Sequence, residues 1–200
     1  MIYRIVFFLF FITLSCKNEK KNKIVTQHNP FEHINQTLEN EKAIELFYNA
    51  KKEIEKGNLE IASLLLEKSL DFEKNPIILN ELGIIFFSEK RFEQALIVLN
   101  QSILIDDKYY PSYINKSRVQ ILQNDLKNAE TTLNKMLKKC TSDYWISYAN
   151  MYLAHITTKK ETIDCEKGIN YLKKAEILRS EPELIPQLNG ISEALKINCG

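Results

Sequence analysis

The sequence contains few residues that break or redirect a helix. Its 200 residues include only five glycines and five prolines, whereas β-sandwiches and loop-rich folds need both residue types at their many turns. Hydrophobic residues make up 44% of the chain, which is enough for a packed core and excludes a wholly disordered chain. Together these features favour helices joined by short turns.

The chain also lacks an excess of either charge. It has 27 basic and 26 acidic residues, a formal net charge of +1. Binding to nucleic acid phosphates needs a basic excess, so we do not expect a nucleic acid partner. The sequence also contains no GxSxG, HExxH or CxxC motif, no phosphate-binding loop and no acidic pair with a histidine. We therefore expect a non-enzymatic protein without a cofactor or a metal site.

Long apolar runs are missing as well. The longest run near the N-terminus, residues 5–14, is too short for a membrane-spanning helix, which needs about 20 residues. It has the length typical of a secretory signal peptide, and the small residue Ser15 stands at the expected cleavage position. Cys16 follows, and then a polar stretch begins.

This arrangement resembles a bacterial lipoprotein signal. The resemblance implies a signal peptide over 1–15, a lipid on Cys16, and a polar tether over 16–36. Because Lys17 is not the aspartate that retains lipoproteins at the inner membrane of enterobacteria, it also favours the outer membrane of the cell envelope. Two alternatives stay open, namely an ordinary signal peptide with a chance cysteine and a retained anchor helix. We assign no role to His28 and His33 in the tether.

One small residue recurs at a regular interval. Ala62, Ala95 and Ala129 are separated by 33 and 34 residues, and each lies in a segment whose apolar residues recur every three or four positions. That periodicity predicts helices with one buried face. The clearest unit spans residues 80–104, where Gly83 and Ala95 permit close approach of two helices beside Phe86 and Phe92.

These features resemble the tetratricopeptide repeat (TPR), a helical hairpin of about 34 residues. The resemblance implies an all-α, right-handed α-solenoid over 37–200, built of four hairpins and a capping helix. We place the repeats at 42–75, 76–109, 110–141 and 142–180, and the capping helix at 183–197. We expect Thr37 to cap the first helix, Gly57 to end it, and the second helix of the fourth hairpin to include Leu178.

TPR domains characteristically hold peptides or protein segments in a concave groove lined by the first helix of each hairpin. The resemblance therefore implies a protein or peptide partner and the following groove residues: Phe47, Lys51, Asn80, Ile84, Phe87, Ile114, Arg118, Ile121, Ile146 and Asn150. Lys51 and Arg118 would pair with a carboxylate. Phe47 and Pro111 stand where the carboxylate clamp of chaperone-binding TPR domains has lysines, so an acidic chaperone tail is not expected. The alternative is a structural or self-associating subunit that uses its outer faces.

Two of the four cysteines are predicted to form a pair. If the last two helices are antiparallel about a turn near Glu181, Cys165 and Cys199 lie side by side because they are equally distant from Pro182 along the chain. Export to an oxidising compartment would then favour a Cys165–Cys199 disulfide. Free thiols or another pairing remain open, and Cys140 is expected to stay unpaired.

Overall fold

Helical hairpins make up the part of the chain that the structure describes. In this computed structural model, residues 38–200 are described; they form nine α-helices and two 3₁₀ helices, with no β-strand. The α-helices are α1 (Glu41–Glu55), α2 (Leu59–Phe72), α3 (Pro76–Ser88), α4 (Phe92–Ile105), α5 (Tyr110–Leu122), α6 (Leu126–Leu137), α7 (Asp143–Thr158), α8 (Cys165–Lys174) and α9 (Ile185–Cys199). The predicted all-α solenoid is therefore confirmed.

The helices pack as four successive hairpins. Helix α1 packs against α2, α3 against α4, α5 against α6, and α7 against α8. Neighbouring hairpins meet through α2 and α3, α4 and α5, and α6 and α7, and α5 also contacts both α3 and α7. Stacking completes the core that one hairpin cannot form alone. We call the side formed by α1, α3, α5 and α7 the first-helix face, and the side formed by α2, α4 and α6 the outer face.

The recurring small residues lie where two helices of a hairpin approach each other. Ala62, Ala95 and Ala129 are completely buried. In the second hairpin, a Cβ atom added to Gly83 would lie 2.7 Å from Leu99 Cγ, which is too close for any larger residue without a shift of the leucine. The 33- and 34-residue spacing therefore reflects backbone approach within each hairpin.

Three tight turns join the helices of the first three hairpins. Each contains one residue with a positive φ: Gly57 at +81°, Lys90 at +61° and Asn124 at +59°. The expected left-handed end of α1 at Gly57 is confirmed. Glycine adopts this conformation without strain and asparagine tolerates it, whereas lysine adopts it at a cost.

The start of the first helix differs from the prediction. Asn40, and not Thr37, caps α1: its Oδ1 accepts hydrogen bonds from the backbone N–H groups of Lys42 and Ala43 at 3.0 and 3.1 Å. These are two of the donors that the first helical turn leaves without a partner. Thr37 itself lies outside the described residues.

The second helix of the fourth hairpin is shorter than predicted. Helix α8 ends at Lys174, and Leu178 lies in a 3₁₀ helix, Glu176–Ser180. There the N–H of Leu178 donates to the carbonyl of Ala175 three residues back, which tightens the turn and places Leu178 in the core. A second 3₁₀ helix, Pro182–Leu184, leads into α9.

Helix α9 is held against the last hairpin by both packing and a covalent bond. Leu188, Ile191 and Leu195 are its buried residues. Cys165 at the start of α8 is joined to Cys199 at the end of α9, with the two Cα atoms 5.7 Å apart. Among residues 38–200, Cys140 is the free cysteine, and it is buried.

The predictions for the N-terminal region lie outside the described residues. They are the signal peptide at 1–15, the lipidated Cys16, the tether at 16–36 and its two histidines. None of the helices described for residues 38–200 is both long and apolar enough to cross a membrane.

Candidate functional site

A cavity on the first-helix face gathers three of the predicted groove residues. Phe87, Arg118 and Ile121, from α3 and α5, line a space of about 420 Å³. Its other walls come from the end of α5 and the turn after it, from α7 and the residue after it, and from α9. They are formed by Leu122, Asn124, Tyr152, His155, Lys159 and Gln187. Sequence reasoning assigned no groove role to these six residues.

Four other predicted groove residues are buried, contrary to what a binding surface requires. Phe47, Asn80, Ile114 and Asn150 are at most 4% exposed. Asn80 Oδ1 accepts hydrogen bonds from Asn115 Nδ2 at 2.9 Å and from Ser112 Oγ at 3.3 Å, while Asn150 Nδ2 donates to the carbonyl of Ile146 at 2.7 Å. All four side chains are therefore buried within the domain and do not face solvent; Asn80 joins α3 to α5, whereas the bond of Asn150 stays within α7.

The remaining predicted residues lie on the first-helix face but outside this cavity. Ile84 and Ile146 are partly exposed. Lys51 is partly exposed too, but its Nζ lies 2.8 Å from Glu81 Oε2, and the Glu81 side chain is only 2% exposed. A buried carboxylate at this distance neutralises the lysine. The charge predicted at Lys51 is therefore already paired within the protein.

Arg118 has a different environment. Its Nη1 donates to Asn115 Oδ1 at 2.9 Å, and its guanidinium carbon lies 5.3 Å from the centre of the Phe87 ring. Among residues 38–200, no carboxylate pairs with it. A neutral amide and an aromatic ring thus orient the guanidinium and leave its charge uncompensated.

A buried hydrogen-bond network fixes the residue that orients Arg118. Ser102 Oγ donates to the carbonyl of Pro76 at 2.9 Å and lies 2.6 Å from Ser112 Oγ. Ser112 and Asn115 both donate to Asn80 Oδ1. The network thereby connects α3, α4 and α5. The side-chain oxygen of Asn115, Oδ1, in turn accepts the hydrogen bond from Arg118. Asn80, predicted as a ligand contact, is instead buried and accepts two hydrogen bonds within this network.

Three tyrosines form a row along α7 that ends at the cavity. Tyr144, Tyr148 and Tyr152 are spaced four residues apart, and neighbouring ring centres are 5.8 and 5.9 Å apart. Burial raises the pKa values of Tyr144 and Tyr148 well above the usual range, so both hydroxyls stay protonated at neutral pH. The spacing of four residues in the sequence predicts that the three tyrosines lie on one face of a helix. It does not show whether that face is packed in the core or forms a binding surface.

The cavity lining is basic and contains no acidic residue. It includes Arg118, Lys159 and His155. Burial, and then the charge of Lys159, lower the pKa of His155 below its usual value of 6.5, so its imidazole is neutral at pH 7. The uncompensated charges favour an anionic group, while Phe87, Ile121 and Tyr152 offer apolar surface beside it. Within residues 38–200, no cluster of three His, Cys, Asp or Glu side chains is arranged to hold a metal ion.

Stacked antiparallel hairpins with small residues at a spacing of about 34 define a TPR-type α-solenoid. Solved structures share this fold with the chain. MamA from Desulfovibrio magneticus RS-1, residue 41 to the end, is 21% identical, with a TM-score of 0.59 over 79% of this chain and 89% of that one. A tetratricopeptide repeat protein from Parabacteroides merdae ATCC 43184 is 16% identical, with a TM-score of 0.62 over 78% of this chain and 59% of that one.

A third similar structure contains a bound peptide. The first TPR domain of Spaghetti (RPAP3), bound to the HSP90 peptide SRMEEVD, is 19% identical, with a TM-score of 0.51 over 60% of this chain and 93% of that one. At these identities the likeness concerns the fold. No family model matches the chain, and no curated protein matches its sequence.

Proposed function

We propose that this chain is a non-enzymatic protein-interaction module that binds a peptide or protein segment in the cavity on its first-helix face. The observation that carries the proposal is the environment of Arg118, whose guanidinium is oriented by Asn115 and Phe87 but has no carboxylate partner in residues 38–200. A solvent-accessible arginine held in this way is preorganised to receive a carboxylate from outside.

The lining suggests the chemistry of the bound segment. A carboxylate would pair with Arg118, and Lys159 would add a second positive charge. Phe87, Ile121 and Tyr152 would contact an apolar or aromatic side chain nearby. We therefore propose an acidic residue followed or preceded closely by an apolar one. The peptide complex of the similar RPAP3 domain supports the general mode of binding, and the absence of catalytic motifs from the sequence supports a non-enzymatic role.

We further propose that the module is attached to the cell envelope, on the outer membrane, through a lipid on Cys16. The short apolar run at 5–14 followed by Ser15 and Cys16 supports export and lipidation. The disulfide between Cys165 and Cys199 is consistent with an oxidising compartment.

The proposal is tested by affinity capture from solubilised envelope with the full chain and two variants. Arg118→Glu reverses the charge in the cavity, whereas Lys135→Glu makes a matched change at an exposed position in α6. We expect partners captured by the parent and by Lys135→Glu to be lost with Arg118→Glu, provided that the circular dichroism spectra coincide. Equal capture by all three proteins would show that the partners bind elsewhere on the chain and not in this cavity.

A second candidate function is supported by the outer face. Three large apolar side chains on α2 and α4 are 49–56% exposed, namely Ile61, Leu64 and Ile97. Exposed apolar side chains favour association because the contact removes them from water. A structural or self-associating subunit would show concentration-dependent sedimentation, and Ile97→Asp would abolish it. Sedimentation as a monomer at all concentrations would exclude this alternative.

A further inference from the structure

We propose that the cavity on the first-helix face binds its anionic ligand more tightly in mild acid, because protonation of His155 adds a third positive charge to the cavity lining. This regulation rests on the function proposed above and acts on the same site. It makes the affinity of the cavity for a carboxylate depend on pH in the range in which histidine titrates.

His155 lines the cavity together with two cations, Arg118 and Lys159. Tyr152, His155 and Lys159 are spaced three and four residues apart along α7 and the residue that follows it, a spacing that places side chains on one face of a helix. Arginine, lysine and tyrosine side chains ordinarily titrate far above neutral pH. His155 is therefore the lining residue whose charge is expected to change between pH 7.5 and 5.

The empty cavity disfavours the charged imidazole. Burial, and then the charge of Lys159, lower the pKa of His155 below its usual value of 6.5. Both causes oppose a further positive charge in the lining. A carboxylate bound beside Arg118 and Lys159 would act in the opposite direction, since a nearby negative charge favours the protonated form of a histidine. Binding of an anion is therefore expected to raise the pKa of His155.

The carboxylates on the elements that pack against α7 do not line the cavity. Glu130 on α6 is held by Lys160 and Lys167 at 2.7 and 2.8 Å. Glu181 and Glu183, which precede α9, act on tyrosines of α7 and are not lining residues. Within the described part of the chain, the charges in the lining are thus all positive, and the imidazole meets a carboxylate there only when a ligand supplies one.

Proton uptake and anion binding are consequently coupled. A ligand that raises the pKa of His155 binds more tightly where the histidine is protonated, because the two effects are reciprocal. A rise of one pKa unit corresponds to about a tenfold change in affinity, and a carboxylate with a pKa of about 4 is still mostly ionised at pH 5. We expect the dissociation constant for an anionic ligand to fall about three- to tenfold between pH 7.5 and 5.

Two capped dipeptides serve as probes of the full chain. Acetyl-Asp-Phe-amide carries one carboxylate beside an aromatic side chain, and acetyl-Asn-Phe-amide has nearly the same shape without the charge. NMR titration gives the dissociation constant of each dipeptide at pH 7.5 and 5.0, and the pKa of the His155 imidazole with and without the dipeptide. We expect the acidic dipeptide to bind more tightly at pH 5.0 and to raise the pKa of His155. The neutral dipeptide should do neither.

Three variants distinguish His155 from other titrating groups. His155→Gln is expected to lose the pH dependence, judged from the ratio of its own two dissociation constants whatever their absolute values. Lys159→Met removes a charge that opposes protonation, so it should raise the pH at which the affinity changes. His28→Gln/His33→Gln removes the other two histidines of the chain. It is the matched control and should keep the ratio of the parent.

The outcomes separate this regulation from the binding function itself. Equal affinity of the parent for the acidic dipeptide at both pH values would overturn the regulation and leave the proposed function standing. An unchanged pKa of His155 on binding would do the same and needs no variant, as would the same affinity ratio in the parent and in His155→Gln. Failure of the parent to bind at either pH, or binding that persists in Arg118→Glu, would contradict the proposed function and the regulation with it.

Discussion

Lys51 and Arg118 are the two basic residues predicted for the groove, but the groups that surround their charges differ. Lys51 on α1 faces the buried carboxylate of Glu81 on α3 at 2.8 Å. Arg118 on α5 receives only a neutral amide oxygen from Asn115 and the face of a phenylalanine ring. The difference shows that a cation on the first-helix face is available to a partner only where the neighbouring hairpin provides no carboxylate. In this chain, only the second half of the face meets that condition among the described residues.

The largest effect on stability is expected from removing the disulfide bond that joins α8 to α9 in the second half of the domain. The bond between Cys165 and Cys199 closes a loop across 34 residues, and its loss is expected to lower the free energy of unfolding by about 4 kcal/mol. The measurement is urea denaturation of Cys165→Ser/Cys199→Ser, followed by fluorescence of Trp145. Reduction of the parent is expected to reproduce the effect, and unchanged midpoints would show that packing alone holds α9.

The second-largest effect on stability is expected at the ion pair between Lys51 and Glu81, in the first half of the domain. Lys51→Met leaves the carboxylate of Glu81 buried without its partner, and we expect a loss of about 3 kcal/mol, at the low end for a broken buried pair because Lys51 is partly exposed. The matched variant Lys51→Met/Glu81→Leu removes both charges and is expected to recover most of this loss. If the single and double variants have the same urea midpoint, the ion pair does not stabilise the fold.

The contrast becomes sharper with the corresponding change at Arg118. Arg118→Met leaves no carboxylate unpaired, so its cost is expected to remain below about 1 kcal/mol. Urea denaturation beside Lys51→Met measures the difference directly. A loss at Arg118 as large as that at Lys51 would mean that the arginine is structural.

The smallest effect concerns the histidine of the cavity. Because burial and Lys159 lower the pKa of His155 in the folded protein, the unfolded chain takes up a proton at a higher pH than the folded one does. The associated stability is present above pH 6.5 and is lost as the pH falls from 6.5 towards the lowered pKa of the folded state. Denaturation from pH 7.5 to 5 is therefore expected to show a steeper decline for the parent than for His155→Gln. Parallel curves would show that protonation of His155 does not contribute to the loss of stability at low pH.

The sequence predicted the hairpins well because their main determinant is local. Small residues such as Ala95 recur with the repeat, and each is needed where two adjacent helices touch. Within the site, Phe87, Arg118 and Ile121 were predicted from their positions in the repeat. The same mapping placed Phe47 and Asn80 on the surface, because a helical position does not reveal how far the next hairpin covers it.

The residues that were missed depend on contacts between distant segments. Gln187 reaches the cavity from α9, whose placement depends on the end of α8 and the disulfide. Glu81 did leave a signal, since it is the only charged residue of the apolar helix α3. A lone acid in such a helix predicts a buried partner, although it does not identify Lys51. The orientation of Arg118 by Asn115 likewise emerges only when three helices are assembled.

The most direct test of the central claim compares the two cations in one binding experiment. Capture of envelope proteins is measured with the full-length parent, with Arg118→Met, and with Lys51→Met/Glu81→Leu, each shown to be folded by circular dichroism. The account predicts that Arg118→Met loses the parent's partners and that the double variant keeps them, because the charge of Lys51 is already compensated. Loss of the partners with the double variant, and their retention by Arg118→Met, would contradict it.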